Sequence, residues 1–154
     1  MPITSKPIAA AEAIVDLLEQ GLGSDSFSET FTVERAYRPV QRLEDLAVDA
    51  MKVTVIPAAN EIAQASRGFQ RYDVTCAIVV QCRKSDTLNA TLDPLMELVD
   101  EIVTYLAQFD VTFQSSRMAL GNDPIFVGEH IKDQQVFTSV VNVTYRIHQT
   151  QTEV

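Results

Sequence analysis

The groups with which this chain of 154 residues could do chemistry are two histidines, two cysteines, twelve Lys and Arg, and twenty-one Asp and Glu. His130 and His148 are separate in the sequence and fall outside the Cys/His spacings of a zinc site. No serine sits in a GxSxG elbow. None of the five glycines is spaced as GxGxxG or GxxxxGK[ST], so the phosphate-cradling fingerprints are missing. The acids could meet in space from anywhere, which keeps a paired-carboxylate hydrolase in play beside the plainer reading of a solvated acidic surface. No catalytic residue, metal or cofactor is assigned.

The arginines are more suggestive. Arg35, Arg38 and Arg42 cluster around Pro39, where they can pair with Glu44 and Asp45 or with an acidic neighbouring molecule. Arg67 and Arg71 flank what reads as the base of a protruding loop and pose the same choice, with Phe69 between them. These six, Arg35, Arg38, Arg42, Arg67, Phe69 and Arg71, are the expected contact residues. The overall balance is acidic, with a net charge of −9 and a pI near 4.6. A protein that grips phosphate backbones needs clustered cations, so firm nucleic-acid binding is not expected. An acidic wall instead lets DNA slide past.

The element that must position these groups is Gln70 to Arg83, QRYDVTCAIVVQCR, which alternates with period 2. Tyr72, Val74, Cys76, Ile78, Val80 and Cys82 share one face. Such a strand spans about 45 Å, long for a domain of this size. Cys76 and Cys82 would then stand about 20 Å apart. That is beyond the reach of a disulfide, so free buried thiols are expected, and the sharper alternative is pairing between chains.

Around this strand the chain reads in order. Ser5–Gln20 is an amphipathic helix stopped by Gly21. Phe27–Arg38 is a strand ended or pushed to an edge by Pro39. Leu43–Ala47 is one helical turn, and Met51–Ile56 a short strand closed by Pro57. Ala58–Phe69 is a loop that makes a projecting hairpin arm. Pro94–Gln108 is a second amphipathic helix, preceded by a short helical piece, with Glu97, Asp100 and Glu101 on its wet side. Val111–Leu120 is a strand, Gly121–Pro124 a turn, 124–135 irregular, and Val136–His148 a last strong strand. Residues 149–154 read as a frayed tail. The expected fold is a single α+β domain over 1–154. It has a mainly antiparallel twisted sheet of four to five strands, two amphipathic helices on one face, and the arm at 58–69. The N-terminal sequence carries no secretory signal pattern, and no apolar run approaches a membrane span.

From Ile8 to Ile147 the chain resembles the tail terminator (tail completion, or neck) proteins of tailed bacteriophages. The likeness rests on the order of its pieces: the leading helix, the strand and RLEDL turn, and the VTVIP strand. The loop with Ser66-Arg67, the RYDVTCAIVVQCR strand, the LDPLMELVDEIVTYL helix and the closing VVNVTYRI strand follow. The resemblance implies a structural virion protein assembled in the bacterial cytoplasm. It would be a hexameric ring of this chain that caps the head-proximal end of the tail tube, stops its polymerisation and joins the head connector. DNA would pass through the lumen without specific binding. Two other readings compete: a head-closure or stopper protein of the same interface, and a small ligand-binding or enzymatic α+β domain.

Overall fold

A computed structural model describes residues 5–39, 46–109 and 116–150. Helix α1 (Lys6–Gly23) opens on Ser5, whose hydroxyl accepts from the Ile8 amide at 3.4 Å. Strand β1 (Thr32–Arg35) is short. Strands β2 (Met51–Ser66) and β3 (Phe69–Arg83) are long and form a hairpin. Helix α2 (Asn89–Gln108), strand β4 (Ser116–Asn122), helix α3 (Gly128–Gln134) and strand β5 (Val136–Thr150) follow. The five strands form one sheet in the order β1-β2-β3-β5-β4. All neighbours are antiparallel except β1, which runs parallel to β2.

The α+β architecture and the two-helix layer agree with the sequence. Every second residue of β3 from Val74 to Cys82 is fully buried. These residues meet Ile14 and Leu18 of α1 and Leu98, Ile102 and Leu106 of α2 in one core, with Phe137, Val141, Val143 and Tyr145 of β5. Cys76 and Cys82 are free and buried in that layer, and burial pushes the Cys76 thiol up to about 12.

Several boundaries differ, each for a physical reason. β2 does not stop at Pro57. β1 covers β2 only from Lys52 to Val55, so Pro57 lies on an edge and beside a register shift, where its missing N–H interrupts no ladder. Ala58–Ser66 is therefore strand, not loop. Gly21 is not a stop either. It is buried inside α1, and a Cβ there would lie 2.5 Å from the Phe27 ring and 3.0 Å from Tyr105. Phe27 and Phe31, expected in a strand, pack on each other, Phe27 also meeting Tyr105 edge to face, and β1 begins after them. α2 runs unbroken from Asn89 through Pro94. Gly121 and Asn122, read as turn, end β4; residues 111–115 of that predicted strand lie outside the described residues.

The third helix was not expected. α3 buries no side chain, so it has no apolar stripe to betray it. Thr138 alternates away from core-facing Phe137, and His130 Nδ1 lies 2.9 Å from the Thr138 hydroxyl, so α3 sits on the other face of the sheet. The frayed tail is also corrected in part. Gln149 and Thr150 belong to β5 and pair with Gln70 and Phe69. Residues 151–154, and the helical turn predicted at 43–47 up to Asp45, lie outside the described residues.

Candidate functional site

Beyond Pro57 strand β2 leaves the core behind. Ala58 to Gln64 are all exposed, whichever face they point to. β1 has ended at Arg35, and among the described residues β4 pairs with β5 out to Arg146. Among the described residues what projects is a ribbon of three strands, because β5 follows β3 out to the Phe69–Thr150 pair. A third strand gives the ribbon a support that a bare two-stranded hairpin lacks. The turn at its tip is Arg67-Gly68, with Gly68 at φ 84°, a conformation glycine takes freely.

Register sorts the arm's side chains into rows. On the helix side Ile62, Tyr72 and Ile147 stand abreast. On the other side Glu61, Asp73 and Arg146 form one row, and Ala63, Arg71 and His148 the next. Arg146 clasps Asp73 through two hydrogen bonds of 2.8 and 3.1 Å, and Arg71 approaches the same carboxylate at 3.8 Å. The hydrogen bond from Arg146, helped by the nearby charges of Arg146, Arg71 and His148, holds the Asp73 carboxyl below the usual carboxylate range. One row inward, the hydroxyls of Thr75 and Thr144 bond at 2.8 Å. These cross-strand pairs fasten β5 to β3 where no helix covers them.

The expected contact residues fall into two groups. Arg67, Phe69 and Arg71 share the arm. Arg67 and Phe69 stand at its tip rather than its base, and Phe69 is 43% exposed. Arg35 is engaged within the chain, 3.5 Å from Glu12 and stacked 5.6 Å above the Tyr37 ring. Arg38 is exposed. Arg42, Glu44 and Asp45 lie outside the described residues. Sequence reading missed Arg146 and His148. Both lie on the non-core face of an alternating strand, which was legible, but their meeting with Asp73 depends on register, which was not.

Two clefts of about 540 Å³ open on the surface. The first lies against the outer side of α2, between Glu97, Asp100 and Glu101 and the chain that follows α1. Tyr105 and half-exposed Phe109 supply its aromatic part, their rings 4.7 Å apart. Glu101 accepts from the Ser28 hydroxyl at 2.6 Å and the Ser28 amide at 3.1 Å. The second, near Phe31, Asp49 and Lys52, has its charges spent internally: Lys52 reaches Glu34 at 2.9 Å and Asp49 holds Lys84 at 3.0 Å. Among the described residues no group of three His, Cys, Asp or Glu side chains is arranged to hold a metal. No helix among them is long and apolar enough to cross a membrane.

No protein-family model and no curated protein matches this chain.

Proposed function

We propose that the protein is a structural component of a phage tail, a terminator. About six copies close into a ring on the head-proximal end of the tail tube and stop its growth. The observation that carries this reading is the arm: a ribbon of β2, β3 and β5 that continues past Pro57, with residues 58–64 of β2 exposed whichever face they point to. Folding alone gives little reason to extend β2 into solvent, since residues 58–64 are all exposed, with Ile62 at 59%. Such an extension suits a contact between molecules. A ring needs a heterologous contact that closes, in which one patch meets a different patch on the next copy. The mechanism is passive. One ring face matches the tube end and the other does not, so subunit addition ceases and the head connector docks. The net charge of −9 suits a lumen that DNA crosses without sticking. Nothing in this role requires turnover of a substrate.

The test is to add the purified protein to tail tubes polymerising in vitro and to follow tube length and end structure by negative-stain microscopy. The expected result is shorter tubes bearing a ring at one end. Tubes that grow to the same length with bare ends would refute the reading. Binding to the portal end of isolated heads, with no effect on tubes, would assign the stopper role instead.

A further inference from the structure

We propose that the arm tip of one copy seats in the acidic cleft of the next, with Arg67 received by Glu97 and Asp100 and Phe69 laid against Phe109. The inference rests on the ring proposed above and names the two surfaces that would close it.

The first support is charge. Most arginines of the described chain are engaged within it. Arg35 meets Glu12, Arg71 and Arg146 meet Asp73, and Arg117 donates to the Leu106 carbonyl at 2.7 Å. Arg83 is engaged as well. Among the described residues Arg38 and Arg67 are not, and Arg67 is the one displayed at the end of an arm. On the receiving side, Glu97 and Glu101 stand four residues apart on α2 with Asp100 between them, a like-charge arrangement that disfavours the helix. Glu97 and Asp100 are exposed and have no cation partner among the described residues. An acidic chain therefore displays one unspent cation on a projection and a set of unspent carboxylates in a cleft.

The second support is shape and chemistry. A guanidinium takes a carboxylate in its plane and an aromatic ring against its face. The cleft offers both, through Glu97, Asp100, Tyr105 and Phe109. Its 540 Å³ suits a side chain or two rather than a folded segment. Phe109 is 49% exposed at its rim and Phe69 43% exposed at the tip, so each leaves an aromatic face that the contact would cover.

The third support is reach. From Pro57 to Ser66 the arm extends about 30 Å. A domain of this length has a radius of gyration of about 15 Å. The tip can thus cross to the outer helix of an adjacent copy.

The experiment measures self-association by sedimentation velocity on the full chain, with folding followed by circular dichroism. All substituted positions are exposed, and Glu101 is left in place for its bonds to Ser28. Arg67→Glu is expected to weaken association by about thirtyfold or more, and Glu97→Arg with Asp100→Arg by a similar factor. The chain carrying all three changes is expected to recover association, because the complementary pair is rebuilt with its signs exchanged. The proposal is overturned if the unaltered protein stays a single chain at every concentration. It is also overturned if Arg67→Glu has no effect, or if the triple variant is as weak as the partial ones. Tube capping, read separately, keeps the two proposals distinct. Unaltered capping by a chain whose association ignores Arg67 removes the tip contact and leaves the terminator. Association that obeys the charge exchange while tubes stay bare leaves the contact and removes the terminator.

Discussion

Asp73 fastens the base of the arm. Its carboxylate joins β3 to β5 through Arg146. Its carboxyl is held below the ordinary range, first by the hydrogen bond from Arg146 and then by nearby positive charge. The folded form therefore prefers the ionised carboxyl more strongly than the unfolded chain does. The resulting stabilisation is complete above the ordinary aspartate value near 4 and is lost as pH falls through the lower folded value. Asp73→Asn is expected to destabilise the arm at neutral pH and to erase that part of the acid dependence. Hydrogen exchange at Tyr72, Val74, Tyr145 and Ile147 reads the effect. Protection in the variant should drop at pH 7 and match the unaltered protein more closely below pH 4. Equal protection at both pH values would show that the pair holds nothing together.

At the scale of elements the arm and the core are separable, and truncation tests this. β2 and β3 can be rejoined after Glu61 by an Asn-Gly turn leading into Asp73, which removes Ile62–Tyr72. Among the described side chains lost, each is exposed or half-buried and only Tyr72 packs against the core, so Tm should shift by less than about 5 °C while tube capping and self-association disappear. A large fall in Tm would mean the arm belongs to the core, and retained capping would mean it is not the contact element. The long strand was legible because β3 keeps one apolar face from Tyr72 to Cys82. The arm's other strand was misread because proline and mixed polarity, PAANEIAQAS, are what a loop shows, and they are also what an unpaired edge strand tolerates. α3 left no trace because it buries nothing. Gly21 looked like a C-cap because glycine serves both there and where an aromatic ring crosses a helix closely. For the candidate site, Arg67 and Arg71 were readable as cations beside a projection, but not that Arg67 stands at its tip while Arg71 turns to Asp73. The cleft was not: Glu97, Asp100 and Glu101 are on the sequence as a wet helix face, but Phe27 and Ser28 come to that face only through the aromatic packing of Phe27 on Tyr105.

For the whole molecule the net charge of −9 sets two electrostatic effects against each other. Copies repel one another over long distances, whereas in the proposed contact the arm tip and the cleft attract. Salt acts on these differently. The screening length is about 30 Å at 0.01 M and about 10 Å at 0.1 M, so modest salt removes repulsion between whole subunits while a pair in contact is screened far less. Higher salt, at about 1 M and a length near 3 Å, reaches the pair itself. Association is therefore expected to strengthen from about 0.01 M to about 0.15 M and to weaken again toward 1 M. In Arg67→Glu the rise should remain, because the net charge is still large and negative, and the later fall should vanish with the attraction that causes it. Sedimentation velocity across a sodium chloride series reads both limbs. A rise that continues to 1 M in the unaltered protein would instead mark an apolar contact, through surfaces such as Ile62 on the arm or Ile125 and Phe126 beside α3, which are roughly half exposed. That outcome would place the ring's seam away from Arg67 and the acidic cleft.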